Sequence, residues 1–136
     1  ENSKIELIER LSSLPSKRMG MYDQFSYGYL GFDLGPDKET LYYLTGGPLT
    51  DRPPNDGTKQ IAKGAAKNLE NLHLVTYHPP TNTYTDHGPV FYEDGSIPTY
   101  VNAIAIDKDA NVFTMARMQK PWGEIQDLVK IHYPKK

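Results

Sequence analysis

Hydrophobic and polar residues alternate with a period of two on both sides of a short polar break within residues 100–117. The alternation covers residues 100–106, is interrupted by the run DKDAN at residues 107–111, and resumes over residues 112–117. Successive side chains of a strand point to opposite faces of a sheet, and an Asp- and Asn-rich break favours a tight turn. The pattern therefore predicts a β-hairpin.

The same pattern occurs earlier in the chain. Residues 29–45 contain two alternating halves that flank a polar turn. When this stretch is aligned with the later hairpin, Tyr29 falls on Tyr100 and Tyr42 lies near Phe113. The chain therefore contains an internal repeat, and we expect two units of similar structure.

Further strands are predicted on either side of these hairpins. Residues 71–78 alternate, a Pro-rich turn leads from them to a short strand at residues 83–86, and residues 125–131 alternate again. Residues 4–10 (KIELIER) predict one more strand, with a short helix as the alternative. The longer irregular connections are residues 11–26, 46–70, 87–98 and 118–124.

These strands and connections predict an all-β fold of antiparallel four-stranded meanders. In an up-and-down meander of this kind, every predicted tight turn falls at one end of the sheets and every longer connection at the other. Loops carried by a rigid scaffold are where binding and catalysis concentrate. We therefore expect the end with the longer connections to carry the function.

The segment LHLVTYHPPTNTYTDHGPV at residues 72–90 resembles the outer hairpin of a β-propeller blade. Its features are a strand ending in Tyr, a Pro/Thr/Asn turn, and then Tyr-x-Asp-His-Gly. It is similar to blades of bacterial carbohydrate-active, seven-bladed propellers, including the oligogalacturonate-lyase and ulvan-lyase families. The resemblance implies a partial propeller, in which residues 4–10 belong to a preceding blade, residues 27–86 form a complete blade, and residues 99–131 form an incomplete last blade.

A propeller closes its ring with about four to eight blades, so we expect other material to complete this one. The remaining blades of the same protein or other chains are the expected partners, and an acidic glycan is the expected ligand. The families that the chain resembles lead us to expect a secreted or periplasmic protein. Because no charged leader with an apolar core opens the sequence, we expect any signal peptide to be absent or already removed.

The resemblance also implies which residues carry the chemistry. In the lyase families, a Tyr or His removes the proton α to a uronate carboxylate, and an Arg or a metal ion neutralises that carboxylate. This makes Tyr100 and His87 the candidate catalytic residues. The candidate substrate-binding residues, taken from the expected axial and loop positions, are Arg18, Tyr29, Asn102, Arg117 and Trp122.

Each of these candidates also has a purely structural interpretation. The tyrosines can seal one blade against the next, and His87 can belong to a turn in which Asp86 accepts backbone hydrogen bonds. Trp122 can stack on a sugar ring or anchor its own loop. The candidate cations Arg18 and Arg117 belong to segments that also contain carboxylates. The alternative to an anion-binding site is therefore a solvated surface on which charges of both signs are scattered.

Composition narrows the function classes. A net charge of −2 and a pI near 6.1 do not indicate binding to nucleic acid or to an anionic membrane. No apolar run reaches transmembrane length. The absence of cysteine excludes disulfides and thiolate metal sites. The four histidines show no close metal-ligand spacing, so no metal or other cofactor is predicted, apart from a divalent ion completed by the missing blades.

The sequence thus predicts a carbohydrate-processing or carbohydrate-binding propeller. The most specific form of this hypothesis is eliminative cleavage of an acidic polysaccharide. The alternative is a non-catalytic scaffold that binds protein or glycan. A hydrolase on the same scaffold is a third interpretation, for which the predicted inner strands offer few carboxylates.

Overall fold

The computed structural model describes residues 3–9, 11–18, 32–48, 70–96, 98 and 100–134. Within this part of the chain the fold is all-β, as the alternation predicts. In chain order the elements are α1 (Leu14–Arg18), β1 (Phe32–Leu34), β2 (Leu41–Pro48), β3 (Glu70–His78), β4 (Thr83–Val90), β5 (Tyr100–Ile106), β6 (Val112–Lys120) and β7 (Gly123–Ile131), with a 3₁₀ turn at Pro79–Thr81.

The strands form two antiparallel sheets, each a simple meander. The first sheet has the order β1-β2-β3-β4, and the second has the order β5-β6-β7. Both predicted hairpins are confirmed, because β1 pairs with β2 and β5 pairs with β6. None of the helices described is long and apolar enough to cross a membrane.

The β1–β2 and β5–β6 hairpins use the same turn chemistry. The Asp37 carboxylate accepts the backbone N–H groups of Glu39 and Thr40, at 2.9 and 2.8 Å. In the second hairpin, Asp107 likewise accepts the N–H groups two and four positions further along, both at 2.9 Å. A hydrogen bond from the Thr40 hydroxyl and these amide bonds lower the pKa of Asp37 to about 2. Aspartate thus fixes both turns through its own backbone neighbours.

Two connections are shorter than the sequence predicts. Strand β4 does not end at residues 87–89 but continues to Val90, because Gly88 takes a positive φ of 95° and the β3–β4 register shifts there. Strand β6 extends to Lys120, so that the expected loop at residues 118–124 reduces to a two-residue turn. The end expected to carry only long connections therefore includes one tight turn.

Residues 3–9 differ from the predicted strand, because they form neither a strand nor a helix. A strand needs a neighbour to satisfy its backbone groups, and no strand in the described ranges pairs with this segment. The expected irregular stretch after it contains the five-residue helix α1. The start of the predicted first blade, including Tyr29, lies outside the described residues.

The core lies between the facing sides of the two sheets. The residues that pack together there are Tyr42, Leu44, Leu72 and Leu74 from the first sheet and Val101, Val112, Ala116 and Ile131 from the second. Each side chain of this kind contributes about 1.5–3 kcal/mol when it is fully buried. Burial of these two apolar faces therefore provides the main stabilisation of the sheet pair.

The other faces of the two sheets differ in how they are covered. On the first sheet, the face that carries His73, Val75 and Tyr77 is buried, and α1 contacts β2. On the second sheet, cross-strand pairing places Met115 opposite Leu128, and Leu128 is 71 % exposed. The first sheet is thus covered on both faces, whereas the outer face of the second sheet is open.

The β5–β6 turn offers a test of backbone strain. Ala110 has a φ of 64°, a conformation that costs a residue with a Cβ about 1–2 kcal/mol, while glycine adopts it freely at some entropic cost. We expect Ala110→Gly to stabilise the protein by about 0.5–1 kcal/mol and to raise the Tm by about 2–4 °C. Ala105→Gly in the adjacent strand relieves no such strain and should lower the Tm in the same calorimetric measurement. If both variants lowered the Tm, the assignment of strain to Ala110 would be contradicted.

Candidate functional site

The most exposed aromatic side chain of the second sheet lies in the turn between β6 and β7. Trp122 follows Pro121 in this two-residue turn and is 77 % exposed. Gly123 completes the turn with a φ of 138°, which glycine adopts without strain. The local sequence Pro-Trp-Gly therefore makes a tight hairpin that presents its indole to solvent.

Polar residues of three strands lie on the open face beside this turn. Arg117 pairs with Tyr100 on β5 and with Gln126 on β7, and Asn102 pairs with Met115. Directly paired residues of neighbouring strands project to the same face of a sheet. The described side chains of this group are Asn102, Arg117 and Gln126, and we refer to them, with Glu124 and Trp122, as the Trp122 surface.

The cation and the carboxylate of the Trp122 surface form a long ion pair. The Arg117 Nε lies 3.9 Å from a Glu124 Oε, and both side chains are partly exposed. Exposed ion pairs of this length contribute little stability. The pair therefore brings a hydrogen-bond donor group and an acceptor group to the Trp122 surface.

The structure brings together some of the sequence-predicted site residues and separates others. Asn102, Arg117 and Trp122 lie at one end of the second sheet, and the backbone of Tyr100 lies beside Arg117. His87 lies on β4 of the first sheet. The two remaining candidates are Arg18, which ends α1, and Tyr29, which lies outside the described residues.

His87 makes contacts that hold it in place within the fold. Its Nε2 lies 2.8 Å from the Thr76 hydroxyl, and its ring meets the edge of Tyr133 with 5.2 Å between ring centroids. The neighbouring Asp86 accepts the Gly88 N–H at 2.8 Å, as the structural interpretation of this turn predicts. These contacts favour a packing role for His87.

The sequence analysis missed a buried pair formed by His73 and Asp86. His73 is 3 % exposed, and its Nδ1 lies 3.0 Å from both carboxylate oxygens of Asp86. The two residues are diagonal neighbours on β3 and β4, since Val75 is the direct partner of Asp86. Folding the predicted hairpin about its Pro-rich turn would have placed them on one face, which is the signal that could have found the pair.

Asp86 also attaches the segment around α1 to the first sheet. The Leu14 N–H donates to Asp86 at 2.6 Å, the Tyr84 hydroxyl donates to the Ser12 carbonyl, and the Lys17 ammonium lies 3.4 Å from the centroid of the Tyr84 ring. Burial favours the neutral acid, but the hydrogen bonds from His73, Leu14 and Gly88 outweigh it and lower the pKa of Asp86. This cluster is a structural anchor.

A cleft of about 780 Å³ opens between the two sheets near the β4–β5 connection. Its walls are largely apolar and include Leu72, Val101 and Ile131. Tyr92 lines it and donates to Asp127 at 3.3 Å, while burial and the charge of Asp127 raise the pKa of Tyr92 to about 12. A phenol that ionises at so high a pH is a poor general base near neutrality.

Three potential metal ligands meet at the opposite end of the first sheet. Ligand atoms of Asp37, Glu39 and His78 lie within 4.8 Å of one another, although their sequence spacing gives no such indication. The Asp37 oxygens already accept bonds from Thr40, and the His78 Nδ1 lies 2.8 Å from the Thr81 hydroxyl. The described contacts of this exposed group serve the turns that carry it.

Comparison with known proteins gives no match to a family model, to a curated protein or to a solved structure. The functional assignment therefore rests on geometry and chemistry, for which the Trp122 surface is the strongest candidate.

The Asp86 anchor predicts a pH-dependent stability. Because the pKa of Asp86 is lowered in the folded state, its stabilisation is present above the unfolded value of about 3.9 and is lost as the pH falls through the lower, folded value. We expect Asp86→Asn to lower the free energy of unfolding by about 2–3 kcal/mol at neutral pH. Urea titrations should show this difference shrinking below about pH 4.

The exposed turn residue Asp109 supplies the control for this measurement. Asp109→Asn removes a carboxylate outside the anchor and should change the free energy of unfolding little at any pH. If Asp86→Asn and the original protein differed by the same amount at every pH, the anchor would not depend on the ionised carboxylate.

Proposed function

We propose that the chain is a propeller-type β-sheet module that binds carbohydrate at the Trp122 surface. The observation that carries the proposal is an exposed indole in a tight turn, at the end of the second sheet that also carries Arg117 and Glu124. Sugars present an apolar ring face and a rim of hydroxyl groups. An aromatic platform edged by hydrogen-bonding side chains suits both features.

Four members of the Trp122 surface have a defined part in this proposal. Trp122 stacks on the face of a sugar ring, because its indole has little other packing to lose. Glu124 accepts hydrogen bonds from sugar hydroxyls, and Asn102 both donates and accepts them. Arg117 donates to hydroxyls and to a uronate carboxylate, which a guanidinium can bind through two parallel hydrogen bonds.

Binding is better supported than eliminative cleavage. His87, one of the two expected catalytic residues, lies on the other sheet, where it contacts Thr76 and Tyr133. The phenol of Tyr92 in the cleft has a pKa of about 12. Neither group suits removal of a proton beside Arg117 at neutral pH. The side chain of Tyr100, the other expected catalytic residue, lies outside the described part of the structure, so the proposed activity is recognition of the glycan.

The repeat supports the propeller part of the proposal. Both sheets are meanders whose first hairpin has an Asp-fixed turn, and they stack face to face.

Tryptophan fluorescence tests the proposal directly, because Trp122 is the single tryptophan of the 136 residues. We expect saturable changes in emission when uronate oligosaccharides and neutral oligosaccharides are added. By calorimetry, Trp122→Ala should weaken binding about tenfold or more, since truncation of a stacking aromatic commonly removes over 1.4 kcal/mol. Trp122→Phe should retain part of the affinity.

Two further variants make the measurement specific. Arg117→Ala should weaken uronate binding more than binding of neutral sugar, because it removes the partner of the carboxylate. Phe32→Ala, which truncates an exposed aromatic on the first sheet, should leave affinity unchanged. The proposal would be disproved if no glycan bound saturably, or if Trp122→Ala bound glycan with the affinity of the original protein. Release of an unsaturated uronate product would show that the protein cleaves the glycan and does not only bind it.

A further inference from the structure

The second sheet has an edge strand that is long enough to accept another strand. Within the described ranges, β7 (Gly123–Ile131) pairs with β6 alone, whereas its counterpart β3 pairs with both β2 and β4. An unpaired edge presents a row of backbone N–H and C=O groups that can template a further strand. Among the described strands, the first sheet therefore has four where the second has three, and β7 leaves an edge without a described partner.

Residues 3–9 contain a segment whose apolar side chains are exposed to solvent. Ile5 is 101 % exposed, and Leu7 and Ile8 are 65 % and 62 % exposed. Ile5 and Leu7 alternate with Lys4 and Glu6, which is the pattern of a half-buried strand. Exposed apolar clusters of this kind in soluble proteins commonly mark interaction sites.

We propose that residues 4–9 of one copy of this chain pair as a fourth strand with β7 of a second copy. The added strand satisfies the open edge, and the edge supplies the backbone partners that the segment lacks. This is strand addition between identical chains, in which affinity comes from main-chain hydrogen bonds and register comes from the side chains. The proposal is independent of carbohydrate binding.

The first sheet supplies the register for this pairing. Tyr77 of β3 pairs with the first residue of β2 and with Tyr84 of β4. Ile131 of β7 has the same place, because it pairs with Val112, the first residue of β6. Tyr84 is the second residue of β4. The second residue of the added strand is Ile5, so Ile5 should lie opposite Ile131.

This register gives complementary neighbours along most of the added strand. The exception is Glu9, which binds Lys17 of its own chain at 3.1 Å and falls opposite Asp127, so this like-charge pair opposes the addition. Glu6 falls opposite Lys130, which pairs opposite charges, and Ile8 falls opposite the exposed Leu128. Opposed pairs of these kinds stabilise a sheet. Ile5 and Leu7 would project to the side of β7 that carries Ile131, where the second sheet has its core.

A second copy fits this edge better than the segment's own chain does. Ser12 and Leu14, which follow the segment, are held by Tyr84 and Asp86. Asp86 binds His73, on the face of the first sheet that points away from the second sheet. The segment therefore starts behind the first sheet, and its own β7 lies beyond the other face. Pairing with another copy is head-to-tail, which generates rings or open filaments.

Cysteine cross-linking tests the proposal, because the natural chain has no cysteine. Ile8→Cys and Leu128→Cys are prepared separately, each with a different tag, and mixed under mild oxidation. We expect a disulfide-linked dimer that contains both tags. Leu34→Cys, which replaces another exposed leucine on the first sheet, is the matched control and should give at least about tenfold less mixed dimer with Ile8→Cys.

Sedimentation of the cysteine-free protein supplies a second readout. The original chain should associate as its concentration rises, and Ile5→Lys combined with Leu7→Lys should raise the dissociation constant at least about tenfold. Both side chains are exposed, so this variant should keep the Tm and circular dichroism of the monomer. Three results would each overturn the proposal. The first is that Ile8→Cys cross-links equally to Leu34→Cys and to Leu128→Cys. The others are a purely intramolecular disulfide in the Ile8→Cys/Leu128→Cys double variant and a monomer at all concentrations.

Discussion

Each sheet of this protein has two faces that carry apolar residues, and each such face is most stable when it is withdrawn from water. The first sheet satisfies this constraint twice, with Leu44 and Leu74 buried against the second sheet and Val75 buried on the other side. The second sheet satisfies it once, through Val101 and Val112. The difference in cover between the two sheets underlies the open face, the exposed edge and the position of the Trp122 surface.

The two faces of the first sheet are covered by different kinds of interaction. Between the sheets the contact is apolar and does not require specific side-chain orientations, because hydrophobic burial is non-directional. On the far side the contact depends on a few directional bonds, centred on Asp86 and its partners His73 and Leu14. Such a polar cluster is costly if any member is unpaired, so it fixes where α1 lies more strictly than apolar packing would.

Much of the fold follows from local chemistry that is visible in the sequence. Alternation gives the strands, and Asp37 and Asp107 give the turns, because these signals act over a few neighbouring residues. The sequence analysis failed where a distant partner decides. Gly88 continues β4 only because the register shifts against His73. Residues 3–9 have the pattern of a strand but no partner in the described chain, and the alternation cannot reveal whether one exists.

The candidate site follows the same division. Asn102, Arg117 and Trp122 could be named from their positions in predicted elements, and hairpin pairing brings them to one end of the second sheet. His87 could not be placed, because its environment is set by Tyr133, which lies far away in sequence. Head-to-tail addition of strands along β7 would leave the β6–β7 turn at the end of the sheet. Each added copy would bring a further Trp122, so that weak single contacts with a polymeric glycan could combine into tighter binding.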